Sequence, residues 1–164
     1  MDYSLLLLVL LGCPLAAALL IAVLPAKSTP RGAYEALHVL SLAGVAVAGL
    51  TLVVAAFVGD GIFALGEWFH LDGLSALFLG LIAVIAPCTG VYSLPYVAHD
   101  VAEGKLGPSQ VKQYYAFFSL FVFSMILAVT SNNIIMMWVS VEATTLSTVF
   151  LVGVYRTKLA LEAA

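Results

Sequence analysis

The chain has 164 residues, of which 63% are hydrophobic and only 9% are charged. Soluble domains carry about 25% charged residues, so this composition excludes an ordinary soluble domain and predicts an integral membrane protein. The net charge of -3 is spread over loops, without a basic stripe or a nucleic-acid module, so we expect no nucleic-acid partner.

Five apolar stretches, each with at most one charge, approach the 20 or so residues that a helix needs to cross about 30 Å of hydrocarbon. In chain order they cover about 3–24, 37–58, 73–96, 113–129 and 133–155. Their continuous apolar character excludes transmembrane strands, which alternate every second residue. The sequence therefore predicts an all-α integral membrane protein, a five-helix transmembrane bundle that forms a single membrane domain over 1–164.

The basic residues indicate how this bundle is oriented. All of them fall in loops on one side of the predicted helices: Lys27, Arg31, Lys105, Lys112, Arg156 and Lys158. Cytoplasmic loops carry an excess of Lys and Arg. We therefore predict an outside N-terminus, a cytoplasmic C-terminus and a multi-pass protein of a prokaryotic plasma membrane.

The histidines and the acid before the third stretch favour structural roles. His38 and His99 fall at predicted cytoplasmic helix ends and His70 in the outer loop, so each is expected to be solvated or interfacial. Asp72 precedes the third helix, where an acid favours the positive end of the helix dipole, and we expect it to cap that helix. The short stretch 61–71 is expected to lie along the outer surface or to re-enter slightly.

Glu142 is the one formal charge between Lys112 and Arg156. It lies roughly 15 Å from Asn132 and roughly 21 Å from Arg156 at 1.5 Å per residue, which is near the bilayer midplane. An ionised side chain there costs about 2.5–3.5 kcal/mol on insertion scales, and such acids usually mark ion or proton pathways. We predict that Glu142 is a proton-translocation site; the alternative is a permanently protonated acid bonded to a neighbouring hydroxyl.

The residues around Glu142 define two faces of the fifth helix. Trp138 and Thr145 share the face of Glu142, four residues before it and three after it. A second, roughly opposite ridge carries hydroxyls at four-residue spacing: Ser140, Thr144 and Thr148. A helix with no purely apolar side is expected to be buried between other helices. Trp138 and Thr145, with the adjacent Thr144, are therefore predicted to support the acid.

Several motifs in the second half of the chain carry a family resemblance. The run 132–138, the motif Glu-Ala-Thr-Thr-Leu at 142–146 and Leu-Glu-Ala-Ala at 161–164 resemble the fifth helix and following segment of antiporter-like membrane subunits. These subunits belong to respiratory complex I, Mrp-type cation/proton antiporters and membrane-bound hydrogenases. The sequence of these motifs is most similar to hydrogenase-4 component F. The segment 71–78 is similar to the one that enters the third helix of those subunits.

The resemblance implies a proton-translocating subunit of a hydrogenase-4-like or complex I-like respiratory oxidoreductase complex. It implies that Glu142 pairs with a lysine on the seventh helix and that protons, with sodium as an open alternative, are the ions moved. The implied partners are the lipid bilayer, other membrane-arm subunits and a peripheral redox arm. Family members have many more helices than five, so we expect this chain to be the N-terminal part of a longer subunit.

A second hypothesis is that the five-helix chain is a packing or assembly subunit, in which Glu142 makes only an interhelical contact. The unterminated helical character of 159–164 favours the first hypothesis. No phosphate loop, dinucleotide fingerprint or nucleophile-base pair occurs, and Cys13 and Cys88 sit apart inside apolar runs. We therefore expect no catalytic site, no bound cofactor and no metal, with any redox chemistry in other subunits.

Overall fold

The computed structural model describes residues 3–26, 28–59 and 61–155. Its elements, in chain order, are α1 (Ser4–Val23), α2 (Arg31–Val58), β1 (Ile62–Ala64), β2 (Phe69–Leu71), α3 (Gly73–Ala102), α4 (Pro108–Thr130) and α5 (Ile134–Gly153). Within the described residues, five helices are long and apolar enough to cross a membrane. The predicted five-helix membrane architecture is confirmed, with one short hairpin added to it.

Three helices are longer than the apolar stretches predicted. α2 begins at Arg31 and α4 at Pro108, each more than one turn earlier than expected, and α3 continues to Ala102. An apolar stretch ends at the first charged residue, but the backbone hydrogen bonds of the helix continue past that residue. The helices are therefore longer than the apolar stretches. In the first turns of α2, Arg31 Nε lies 2.7 Å from Glu35 Oε1, an i,i+4 ion pair that supports the added turns.

Asp72 caps α3, as predicted. Its Oδ1 accepts a hydrogen bond of 2.7 Å from the backbone N–H of Ser75. This satisfies one of the donors that every helix leaves free at its N-terminus. The same backbone bond lowers the pKa of the Asp72 carboxyl below its ordinary value.

The helices pack as a four-helix group with a fifth helix on its side. α1 contacts α2 and α4, α3 contacts the same two helices, and α5 packs mainly on α4. A large apolar core fills the space between α1, α2, α3 and α4 and includes Leu10, Val45, Leu52, Leu79 and Ile126. The core therefore sits to one side of α5.

One end of the bundle carries every basic residue that the structure describes, Arg31, Lys105 and Lys112, and we call it the basic end. Gln110 Nε2 donates a bond of 2.7 Å to the Val154 carbonyl there and ties the start of α4 to the end of α5. Lys27, Arg156 and Lys158, which were assigned to the same side, lie outside the described residues.

The opposite end is closed by a hairpin that the sequence analysis did not predict. β1 pairs antiparallel with β2 in the register Ile62 to Leu71, and the turn holds Leu65 and Glu67 at positive φ values of 51° and 69°. Strands of three residues carry too little pattern to be recognised, so the sequence predicts only that the stretch 61–71 lies along the outer surface or re-enters slightly. In the structure, Ile62 and Leu71 of the hairpin belong to the core.

The hairpin also fixes the loop that leads into α5. The backbone N–H of Asn132 donates to the Trp68 carbonyl at 2.9 Å, and its side-chain Nδ2 donates to the Glu67 carbonyl at 2.9 Å. Asn133 Oδ1 accepts from the backbone N–H of Ile135 at 2.9 Å and so caps the helix. The two asparagines therefore set where α5 starts.

Candidate proton site on α5

Glu142 occupies the middle of α5. Counted along the helix at 1.5 Å per residue, it lies about 12 Å from Ile134 and about 17 Å from Gly153. The cap at Asn133 fixes the first turn of α5 and with it the place of Glu142 along the helix.

The face of α5 that carries Glu142 points away from the rest of the described chain. Glu142, Trp138 and Thr145 are all exposed, and Trp138 keeps 64% of its surface. Among the described residues, the Glu142 carboxylate has no hydrogen-bond or ion-pair partner. The three residues thus form an outward surface with an acid at its centre, which we call the Glu142 face.

The opposite side of α5 is the side that packs. Ser140 and Ser147 are the buried residues of this helix. Between them, Thr144 Oγ1 lies 3.0 Å from Oγ of Ser124, a fully buried residue of α4. Hydroxyl contacts of this kind join helices within membranes. The rings of Phe117 and Phe150 also stack between α4 and α5, with centroids 4.9 Å apart, so polar and aromatic contacts together join the two helices.

The packed ridge differs from the predicted one at its end. Thr144 makes an interhelical contact and Ser140 is buried, as a hydroxyl ridge for helix contacts predicts, but Thr148 is exposed and Ser147 is buried in its place. Successive steps of four residues rotate around a helix with 3.6 residues per turn, so a face is followed by alternating steps of four and three. Thr144 is therefore an α4 contact and does not share the face of Glu142.

The prediction that α5 is buried between several helices is wrong within the described chain. In the most apolar 18-residue stretch of α5, only 11% is buried, whereas 39% is buried in the corresponding stretches of α1, α2 and α4. The helix has polar residues on both sides, but the described residues supply a neighbour for one side only. The Glu142 face is the unpartnered side.

His38 is also placed differently from the prediction. It was expected to be solvated or interfacial, yet it is fully buried at 0% exposure. Because α2 starts at Arg31, His38 lies about two turns inside the helix instead of at its end. His99 and His70 keep partial or full exposure, as expected.

A group of polar residues at the basic end went unrecognised in the sequence. Asp100, only 3% exposed, accepts a bond of 2.6 Å from the Tyr155 hydroxyl, and Lys105 Nζ lies 3.6 Å from its other oxygen. Glu103 pairs with Lys105, which lowers the pKa of the Glu103 carboxyl. The contact between Tyr155 and Asp100 could not be predicted from their spacing in the sequence. It forms because the C-terminal ends of α3 and α5 lie near each other in the fold.

Metal binding has no visible basis in this part of the chain. No cluster of three or more His, Cys, Asp or Glu side chains suited to a metal ion occurs among the described residues. On α5 the described residues present one acid and several hydroxyl side chains.

Comparison with known proteins gives the family context. No family model matches the chain. It is 42% identical over 99 residues to a hydrogenase-4 component F homolog of Methylacidiphilum infernorum, an alignment that covers 60% of this chain and 21% of that protein. It is 31% identical over 97 residues to NADH-quinone oxidoreductase subunit L of Campylobacter jejuni, covering 55% and 15%.

A third relative is a putative antiporter subunit of Staphylococcus saprophyticus, 38% identical over 89 residues that cover 53% of this chain and 10% of that protein. Over the matched part of its length the chain is similar to these three membrane subunits. It spans about a fifth or less of the length of these curated relatives. The five apolar helices among the described residues and these relatives support a multi-pass cell-membrane protein.

Proposed function

We propose that this antiporter-like chain is the N-terminal portion of a proton-translocating subunit of a hydrogenase-4-like or complex I-like respiratory complex. Glu142 is its mid-membrane proton and ion-pair site. The observation that carries the proposal is the Glu142 face, a mid-helix acid that points outward without a partner among the described residues. The names of the relatives, which include an oxidoreductase subunit and an antiporter subunit, support the same function.

The physical argument begins with the cost of the acid. A charged carboxylate that faced lipid at this depth would cost about 2.5–3.5 kcal/mol on insertion scales. A helix packed on the Glu142 face would remove that cost if it carried a lysine, because an opposite charge within about 4–6 Å favours the ionised form. Moving the lysine away would favour proton uptake by Glu142. The pair then works as a switch.

Trp138 and Thr145 have supporting parts in this proposal. Trp138, one turn before Glu142, shields the acid from water on the hairpin side. Thr145 lies three residues after Glu142, and its hydroxyl donates a bond of 3.1 Å to the Val141 carbonyl. The hydroxyl oxygen can still accept a hydrogen bond from a partner on this face. Thr144 does not lie on the Glu142 face. Its contact with Ser124 fixes how α5 is rotated on α4, and so fixes the direction in which Glu142 points.

The orientation follows from the charges. We propose that the basic end faces the cytoplasm, since the described basic residues Arg31, Lys105 and Lys112 all lie there and cytoplasmic loops are rich in Lys and Arg. The hairpin end then faces outward. Proton transfer through Glu142 would connect these two sides with the help of other membrane subunits, while a peripheral redox arm would supply the energy.

The test is Glu142→Gln in the assembled complex, which keeps the size of the side chain but removes its charge and its titration. Redox-driven proton uptake into vesicles, followed with a pH-sensitive dye, should be abolished or strongly reduced. The amount of assembled complex in the membrane should be unchanged, because α5 packs through its other face. Glu103→Gln, an acid at the exposed basic end, is the matched control and should leave pumping intact.

Two results would count against this function. Normal pumping by Glu142→Gln would remove the proton role. Loss of assembled complex in Glu142→Gln but not in Glu103→Gln would favour the packing or assembly subunit, in which the acid serves only as a contact.

A further inference from the structure

A second polar site lies inside the four-helix group, around His38 of α2. The His38 ring is fully buried and lies between two aromatic rings of α4, with centroid distances of 4.9 Å to Tyr115 and 4.9 Å to Phe118. On its other side it meets the backbone of Gly90 in α3, where an added Cβ would lie 3.0 Å from His38 Nε2. Three helices therefore enclose the imidazole.

The polar atoms of this site lack partners. Neither ring nitrogen of His38, nor Ser41 Oγ, nor the Tyr115 hydroxyl has a hydrogen-bond partner among the described residues. Ser41 is three residues after His38 on the same side of α2, and its exposure is 5%. Each buried polar group left unpaired costs about 1–3 kcal/mol, so four such atoms gathered in one place indicate a small polar ligand.

Water is the small ligand that suits the chemistry of these atoms. A buried water molecule typically bonds two to four polar groups, and the unpartnered atoms here are two imidazole nitrogens and two hydroxyls. They offer both donors and acceptors, because a neutral imidazole has one of each and a hydroxyl can serve as either. An apolar ligand would leave all of these groups unsatisfied.

One acid of α2 lies between this site and the basic end. Glu35, three residues before His38, is paired with Arg31 at the start of the helix. A cavity of about 180 Å³ opens beside Arg31 and Tyr34 at the ends of α1, α2, α3 and α4. Along α2, Arg31 and His38 are separated by about 10 Å at 1.5 Å per residue.

The ionisable groups around His38 are few. From α2 they are Arg31, Tyr34 and Glu35, and from α4 they are Tyr114 and Tyr115. α3 presents the Gly90 backbone and the Ser93 hydroxyl, which bonds the Gly90 carbonyl at 2.7 Å. α1 contributes Ile21 and other apolar side chains at this end. Glu35 is therefore the acid placed to pass a proton towards the imidazole.

We propose that His38, Ser41 and Tyr115 form an internal hydrated proton-binding site that exchanges protons with the aqueous phase at the basic end past Glu35. His38 takes up one proton that comes from the aqueous phase and is relayed by a bound water molecule, which accepts a proton as it donates one; release follows the same route in reverse. The site is independent of Glu142, which lies on α5 and on the far side of α4. It goes beyond the function proposed above and stands if that function fails.

The experiment is solid-state NMR on the whole chain, labelled with ¹⁵N-histidine and held in lipid bilayers. His70→Gln and His99→Gln variants assign the three imidazoles. Water-edited spectra should transfer magnetisation from water to the His38 ring about as fast as to the exposed His99. Its two ring nitrogen signals should converge as the ring gains a proton on acidification over roughly pH 8 to 3.5.

Two tyrosine variants provide the matched comparison. Tyr115→Phe removes the hydroxyl beside His38 and should slow the transfer from water to the ring. Tyr34→Phe removes a buried hydroxyl that already has its own acceptor, the Pro25 carbonyl at 3.3 Å, and should leave the His38 signals unchanged. Glu35→Gln should slow proton exchange at His38 without drying the site.

Either of two outcomes would overturn the proposal. One is a dry His38, with no transfer from water in the unaltered chain at any pH. The other is a ring that stays a neutral tautomer across the whole range. Both are read on the unaltered chain, with the His70→Gln and His99→Gln variants used only to assign the signals, and neither bears on pumping through Glu142.

Discussion

α4 and α5 lie side by side, yet they use their surfaces in opposite ways. α4 buries eight residues, from Val111 to Thr130, against several neighbours. α5 buries two, Ser140 and Ser147, against mainly one neighbour. Both helices are apolar enough to cross a membrane. Hydropathy therefore identifies a membrane helix but says little about how many helices surround it, and the polar residues of α5 mark a face that needs a partner.

The largest effect that separates the two helices should come from truncating a buried side chain. Ile126→Ala on α4 empties space in a fully buried part of the core and should destabilise the chain by about 2–5 kcal/mol. Leu146→Ala on α5, where the side chain is 56% exposed, should have little effect. Reversible unfolding in mixed detergent micelles measures both. Equal losses would mean that α5 is as enclosed as α4 within this chain.

A smaller effect should follow from adding one methyl group to a glycine. At Gly90 a Cβ would overlap Leu42 Cδ1 and crowd His38, so Gly90→Ala should cost about 1–3 kcal/mol by overpacking. At Gly153, the last residue of α5, a Cβ meets nothing within 4 Å. Gly153→Ala should be neutral or slightly stabilising in the same assay. A neutral Gly90→Ala would show that α2 and α3 are looser than they appear.

The smallest effect should distinguish the two sides of α5 itself. Thr144→Val removes the hydroxyl contact with Ser124 and should cost about 0.6 kcal/mol, the average for interhelical hydrogen bonds in a membrane. Thr148→Val removes a hydroxyl that bonds only its own helix, at the Thr144 carbonyl. Their difference in unfolding free energy isolates the interhelical contact. No difference would mean that α5 is held on α4 by apolar packing alone.

Features that depend on local sequence could be predicted. Long apolar stretches define the five helices, and Asp72 caps α3 because the acid and the N–H it accepts from are three residues apart. The acid on α5 stands out because its surroundings carry no other charge. Whether Glu142 moves protons stays a prediction, because the described residues hold no partner for it.

Features that depend on distant parts of the chain could not be predicted. His38 is buried because α2 extends past the apolar stretch to Arg31, and because Tyr115 and Phe118 come from a helix far along the chain. The loop before α5 is anchored on the hairpin because Asn132 bonds residues more than sixty positions earlier. The burial of α5 was overestimated because its polar pattern shows that a partner is needed, not that the partner is in this chain.

Five hydroxyl side chains of α5 reach back to the carbonyl four residues earlier: Ser140, Thr144, Thr145, Ser147 and Thr148. Each of these oxygens competes with a backbone N–H for the same acceptor, which weakens the helix slightly and lets it bend. α5 is thus mechanically softer than its apolar neighbours. The start of α5 is bonded to the hairpin and its end is bonded to α4 through Gln110. If a neighbouring helix pushed on α5, we expect the helix to bend at its centre, where Glu142 lies.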